Sequence, residues 1–304
     1  MNKEEMYEDI RRWKKEKNAV ILAHYYQNDE IQAIADYVGD SLYLSQQAAK
    51  TDADIIVFAG VYFMAQSAKI LSPNKKVLLP NMNSGCLMAD MINEKNLIEF
   101  KEKYPNIPVV CYINSTAEVK AHCDICCTSS NAIDVVKSLN TPKVLFVPDT
   151  YLGKYVESKL DNVEVITFNG YCPTHLKIRI EDIEAARAKY PDALILAHPE
   201  CHGEIIKRSD FTGSTKEIME YAKKSNHKKF IIATEKGVAD RLSRDLKDKE
   251  FHLINQNIIC PNMKHNTLEN IYDVLKNETN EIQIAQDVLS RAKTCIKKML
   301  DLNL

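Results

Sequence analysis

Three apolar runs, AVILAHY (19–25), PVVCYIN (108–114) and ALILAHPE (193–200), end near His24, Tyr112 and His198, which stand 88 and 86 residues apart. Six further runs of the same kind follow them: DIIVFAG (54–60), KVLLPN (76–81), KVLFVPD (143–149), VEVITFNG (163–170), FIIATE (230–235) and FHLINQN (251–257). They alternate with amphipathic stretches of helical length, the pattern of an α/β protein. The nine expected strands fall into three sets of three, and the offsets recur within the sets. Phe58, Phe146 and Ile232 are again 88 and 86 residues apart, as are Ser41, Ser129 and Thr215, which are expected to open helices. The lead-in KYP appears at 103–105 and returns at 189–191. Landmarks sharing two offsets mark an internal repeat.

The expected architecture is three tandem β-α-β-α-β units over 18–105, 106–191 and 192–279, with peripheral helices in 1–17 and 280–304. Each unit should be a three-layer α/β/α block around a small parallel sheet, because right-handed crossovers cover both sheet faces. Ligands of such sheets bind beyond the carboxyl ends of the strands. Three such ends, related by pseudo-threefold symmetry, would frame one central active site.

Composition narrows the function. The 304 residues carry 40 basic and 42 acidic side chains, a net charge of −2, so no nucleic-acid or membrane partner is expected. The start, MNKEEMYEDIRRWKKEKN, is charged throughout and lacks the apolar core of a signal peptide. A cytoplasmic location follows as the expectation, and there nine cysteines do not make a disulfide framework. Inert buried thiols, a nucleophile or metal ligands remain.

Cys86 (NSGCLMAD), Cys172 (NGYCPTH) and Cys260 (IICPNMK) follow the third strand of each set, 86 and 88 residues apart. One thiol per repeat makes a three-cysteine site. Three thiolates can hold zinc with an open fourth position, or a [4Fe–4S] cluster with one iron lacking a protein ligand. Spacing alone does not separate the two. His24, Tyr112 and His198 would face the same cavity. Ser41, Ser129 and Thr215 at helix starts suit anions such as carboxylates or a phosphate. HCDICCTSS (122–130) looks like a rival metal site, but Cys123, Cys126 and Cys127 have no counterparts near Ser41 or Thr215. Only its TSS end belongs to the repeat.

The stretches ILAHYYQ (21–27), GDSL (39–42), FAGVYFMAQSAKIL (58–71), GCLMAD (85–90), YINS (112–115), CTSSNA (127–132), FVPDTYLG (146–153), GYCPTH (170–175), HPEC (198–201), GST (213–215) and CPNMKHN (260–266) together resemble the quinolinate synthase family. The resemblance implies a [4Fe–4S] cluster on Cys86, Cys172 and Cys260. It also implies condensation of iminoaspartate with dihydroxyacetone phosphate to quinolinate, phosphate and two waters, a step of NAD biosynthesis. An aspartate-oxidising enzyme would then supply the iminoaspartate. Carried over by motif, His24, Ser41, Tyr112, Asn114, Ser129, His198, Glu200 and Thr215 would contact substrate. Tyr26 and Glu200 would move protons, and His175 would lie beside the cluster and the leaving group. A glutamate serving as base near neutral pH is expected to be partly buried. Two departures stand out. Gln66 replaces the Glu or small residue usual in FMAQSAK, and only Cys295 lies beyond CPNMKHN, so no carboxyl-terminal Cys-x-x-Cys switch is expected. A zinc lyase, a metal-free binder of a phosphorylated metabolite and an electron carrier are the competing readings. The last would want a fourth repeat cysteine.

Overall fold

The computed structural model describes residues 2–302; Met1, Asn303 and Leu304, at the ends of the two expected terminal segments, lie outside the described residues. Twelve strands build three four-stranded parallel sheets. The first sheet holds β1 (Ala19–His24), β2 (Tyr37–Gly39), β3 (Ile55–Ala59) and β4 (Lys76–Leu78). The second holds β5 (Val109–Tyr112), β6 (Ile125–Cys127), β7 (Lys143–Val147) and β8 (Glu164–Thr167). The third holds β9 (Leu194–Ala197), β10 (Phe211–Thr212), β11 (Lys229–Ala233) and β12 (Glu250–Leu253).

The three sheets share one strand order, with the second strand outermost, then the first, third and fourth. The first and third strands are therefore neighbours whose chains leave toward opposite sides. Beyond the carboxyl ends of such a pair lies the crevice where α/β sheets bind ligands. β1, β3 and β5 are buried along their whole length, and β7, β9 and β11 along all but their first residue, because helices cover both faces.

Twelve strands appear where nine were expected. The three additions, β2, β6 and β10, are edge strands of two or three residues. Such segments are too short to show alternation. Local bonds hold two of them in place. Asp36 accepts the Ile21 N–H through its carboxylate at 2.8 Å, and its own N–H donates to the Ile21 carbonyl at 2.9 Å. Asp210 makes the same two bonds to Ile195, at 2.7 and 2.9 Å.

By packing density the chain divides into two compact units. Among the described residues, one takes 2–99, 113–126 and 261–302; the other takes Phe100–Tyr112 and Cys127–Cys260. In the first, the helices Lys3–Glu16 and Leu268–Asn277 cover one face of the first sheet, joining Ile10, Leu268 and Ile271 to Ile21, Ile55 and Val57 in one core. Asn2 and Glu5 form a capping box on the first of these helices. The helix Gln286–Asp301 packs against Ala117–Lys120 in the same unit. In the second unit, the helix Ile180–Lys189 adds Ile183 and Ala186 to a core with Ile195 and Ile231 of the third sheet.

The loops after β4, β8 and β12 carry the three repeat cysteines and are tied down in one way. The Tyr62 N–H donates to the Ser84 carbonyl at 2.7 Å, Thr150 to Gly170 at 2.8 Å, and Lys236 to Ile258 at 2.9 Å. The donors recur at the repeat offsets, and each acceptor stands two residues before a cysteine. Each cysteine is in turn three residues ahead of a single 3-10 turn, at Ala89–Met91, His175–Lys177 and Met263–His265. In the second of these loops the backbones approach so closely that only glycine fits. The Gly170 N–H donates to the Pro148 carbonyl at 3.0 Å, and a Cβ on Gly170 would sit 2.5 Å from that oxygen.

Gly170→Ala should therefore cost about 1–3 kcal/mol of stability through overpacking against fixed backbone. Denaturant unfolding measures it; a variant as stable as the parent would show that the loop is not held at this point.

Candidate active site

In the second unit, side chains from the carboxyl ends of three strands and from one loop form a connected polar group. β5 ends on Tyr112, whose hydroxyl donates to Glu200 Oε1 at 2.5 Å. β9 runs into His198 and Glu200 through a turn in which the Glu200 N–H donates to His198 Nδ1 at 3.3 Å. That bond makes Nδ1 the acceptor and leaves the ring proton on Nε2. The 3-10 turn after Cys172 brings in His175. Its ring stacks on His198 with centroids 4.8 Å apart, and its Nε2 lies 2.9 Å from the Thr234 hydroxyl at the end of β11. His175 Nδ1 is 2.8 Å from Glu200 Oε2 and 3.2 Å from Cys172 Sγ.

The electrostatics of this group are uneven. Burial pushes His198 down to about 3, and the Glu200 charge only partly opposes it, so the ring is neutral near pH 7. Burial also pushes the Glu200 carboxyl up. The neighbouring His175 and His198, with hydrogen bonds from His175 and Tyr112, outweigh that and hold it below the usual carboxylate range. Glu200 is thus buried, at 4% exposure, yet ionised, where a base poised near neutral pH was expected. Burial and the surrounding hydrogen-bond donors oppose each other, and the donors win.

A second buried carboxyl went unnoticed in the sequence. Asp149, just past β7, caps the helix Thr150–Glu157; its Oδ1 accepts the Tyr151 and Leu152 N–H groups at 2.7 and 2.9 Å. Its Oδ2 has no hydrogen-bond partner, and the residue is fully buried. Burial first, and the Glu200 charge second, push its carboxyl well above the usual range. Glu235, one repeat further on, caps the helix Lys236–Asp245. It accepts the Gly237 N–H through Oε2 at 2.6 Å and the Cys260 N–H through Oε1 at 3.3 Å. The third position of this set is Val61, which has no side chain able to cap. The sequence signal for Asp149 and Glu235 was there, as acids one residue before a helix and 86 residues apart.

In the first unit the turn after β1 repeats the design, with the Tyr26 N–H donating to His24 Nδ1 at 3.1 Å and the two rings edge to face at 4.5 Å. Lys264 donates to the Tyr26 carbonyl. Cys86, Ser41 and Asn114 belong to this unit, whereas Ser129, Thr215, Cys172 and Cys260 belong to the other. Ser41 and Thr215 are the first residues of their helices, although the capping side chains are Asp40 and Ser214. Ser129 departs from the expectation that it opens a helix. Asn131 Oδ1 accepts the Thr128 N–H at 2.7 Å, closing an extra turn, and the helix begins only at Ala132.

Cys126 Sγ lies 3.3 Å from Cys295 Sγ, Cys123 Sγ donates to the Val119 carbonyl at 3.2 Å, and His122 pairs with Glu94 at 2.7 Å. Gln66 is buried, and its Oε1 accepts the Ala117 N–H at 3.1 Å, a bond that a small residue could not make. Among the described residues, no helix is long and apolar enough to cross a membrane.

A family model described as "Quinolinate synthetase A protein" matches residues 8–301. A quinolinate synthase from Alkaliphilus metalliredigens is 53% identical over 302 residues, covering 99% of this chain and 100% of the relative. Another, from Aquifex aeolicus, is 46% identical over 98% of this chain and 94% of the relative.

The raised Asp149 carboxyl predicts a sign for stability against pH. A group whose folded pKa lies above its unfolded value of about 3.9 contributes fully below that value and loses its contribution as pH rises toward the folded pKa. Asp149→Asn keeps the Oδ1 acceptor and does not titrate. Relative to the parent, its stability should therefore rise with pH from about 4 upward. Unfolding curves across pH measure the difference; a constant or falling difference would mean that Asp149 is ionised in the folded chain.

Proposed function

The chain belongs to the quinolinate synthetase A family, and on that premise we propose that it condenses iminoaspartate with dihydroxyacetone phosphate to quinolinate, phosphate and two waters, in NAD biosynthesis. The 18–105, 106–191 and 192–279 repeats supply one cysteine each, and Cys86, Cys172 and Cys260 hold a [4Fe–4S] cluster. One observation carries this reading. These cysteines are half-buried, stand at one repeated position after the last strand of a sheet, and precede identical 3-10 turns. Soft thiolates on short, tied loops suit an iron–sulfur cluster. When bound, the cluster supplies a Lewis-acid iron toward a substrate oxygen.

The chain's own residues do the rest. Neutral His198, with its proton on Nε2, donates a hydrogen bond to a substrate oxygen without adding charge, and His24, held by the matching turn, is a second donor. Ser41, Ser129, Thr215 and Asn114 complete the binding of a carboxylate- and phosphate-bearing substrate pair. Ionised Glu200 accepts a proton and Tyr112 shares it through their hydrogen bond. The depressed Glu200 carboxyl makes it a weak base at rest. Substrate that displaces the His175 contact raises its basicity, because the stabilising donor is withdrawn. Tyr26 is the second proton carrier, and His175 protonates the leaving oxygen.

Anaerobic incubation with the two substrates should yield quinolinate. Cys86→Ser, Cys172→Ser and Cys260→Ser should each lose cluster iron and sulfide together with activity; full iron and turnover in all three would dismiss the ligand set. Glu200→Gln should keep the iron and lower kcat by about 10²- to 10⁴-fold. Unchanged turnover would remove Glu200 from proton transfer.

A further inference from the structure

Cys172 Sγ, His175 Nδ1 and a Glu200 carboxylate oxygen all lie within 4.8 Å of one another, in a buried corner of the second unit. We propose that these three side chains form a mononuclear site for a borderline divalent cation, zinc above all, distinct from the three-cysteine set and sharing only Cys172 with it. A thiolate, an imidazole and a carboxylate are a zinc donor set, and three protein ligands leave a fourth position open.

The distances are close to those needed. Zinc bonds of about 2.0–2.3 Å place tetrahedral donors roughly 3.3–3.6 Å apart. Here Sγ and Nδ1 are 3.2 Å apart, and Nδ1 and Oε2 are 2.8 Å apart. These two pairs need to part by about half an ångström or less, and the thiol and carboxylate lie within 4.8 Å. A cation takes the place of the proton now shared between Nδ1 and the carboxylate.

What distinguishes this corner from a chance cluster is the support behind each ligand. Metal-binding imidazoles use their other nitrogen to bond a fixed group, and ligating carboxylates are hydrogen-bonded in turn. His175 Nε2 meets the Thr234 hydroxyl at 2.9 Å, and a hydroxyl serves either ring tautomer, with or without metal. Glu200 Oε1 accepts from Tyr112 at 2.5 Å, which turns Oε2 toward the site. His198 stacks on the His175 ring and closes one wall. His175 and Glu200 are 2% and 4% exposed, so two of the three ligands are held out of water, and Cys172 is half-buried.

The consequence is competition. A cation seated here occupies Cys172 before a cluster can form on it, so zinc and iron–sulfur loading exclude each other. Cys86 and Cys260 play no part in the zinc site, and this separates a failure of this inference from a failure of the cluster reading.

The test is a zinc titration of the full-length, chelator-stripped, reduced protein against a chromophoric competitor, without oxygen. One equivalent should bind, and Cys86→Ser and Cys260→Ser should bind it with unchanged affinity. Cys172→Ser and His175→Ala should weaken it at least 100-fold. Thr234→Ala, which keeps all three ligands and guards against a misfolded ligand variant, should weaken it about 10-fold. Prior zinc should also lower the iron taken up on reconstitution in proportion to occupancy. No bound equivalent, equal loss in the Cys86 and Cys260 variants, or full retention in Cys172→Ser would each overturn the proposal.

Discussion

One backbone hydrogen bond, made three times, sets the frame on which every candidate ligand hangs. Tyr62, Thr150 and Lys236 each begin a helix just past the third strand of a sheet, and each donates its N–H to a carbonyl two residues before a cysteine. The first N–H groups of a helix have no partner within it, so the bond satisfies a donor that would otherwise be orphaned. In the same contact it seizes the returning loop at its last point before the thiol. Local needs dominate, as at Gly170, where two backbones meet too closely for any Cβ. In the first unit, buried Asn266 adds a strut by donating to the Gly60 carbonyl at 2.7 Å while accepting from Ser84 at 3.3 Å.

That frame lets the second unit hold chemistry that a stable core would reject. Two fully or nearly buried acids, Glu200 and Asp149, raise each other's cost, and burial without compensation is expensive for any charge. The structure resolves the conflict asymmetrically. Glu200 has His175 and Tyr112 on its two oxygens and keeps its charge, whereas Asp149 leaves one oxygen without a partner and holds a proton more readily. The two carboxyls are thus pushed in opposite directions by their surroundings. Neutral His198 offers a hydrogen-bond donor without adding a charge.

How much of this the sequence disclosed follows from the length scale of each signal. Strands buried on both faces read as apolar runs, so the central strands of all three sheets were legible, and offsets of 88 and 86 residues exposed their threefold repetition. β2, β6 and β10 were not, since two or three residues carry no periodicity and β2 and β10 owe their place to Asp36 and Asp210 one residue earlier. Those acids stand 174 residues apart, the sum of the two offsets, so the repeat did contain them. Asp149 and Glu235 were hidden in the same manner. Their role is capping, which is a matter of one side chain and two N–H groups, and an acid before a helix is too common to single out. Ser129 was misplaced by one turn because the bond from Thr128 to Asn131 is local and has no parallel at Ser41 or Thr215.

The cysteines show how far closeness in sequence departs from closeness in the fold. HCDICC packs three thiols into five residues, yet the side chains diverge: Cys126 and Cys127 are fully buried, and Cys126 meets Cys295 rather than a neighbour in sequence. A short strand runs through Ile125–Cys127, and successive residues of a strand point to opposite faces, so adjacent thiols cannot converge on one ion. Burial likewise makes a thiol inert, as at Cys201, whose thiolate is disfavoured by its apolar surroundings and by Glu200. Cys86, Cys172 and Cys260 escape both limits. They leave the sheets at loop positions and remain half-buried. Where a cysteine leaves the sheet, rather than how many cysteines lie near it in sequence, decides whether its thiol stays accessible.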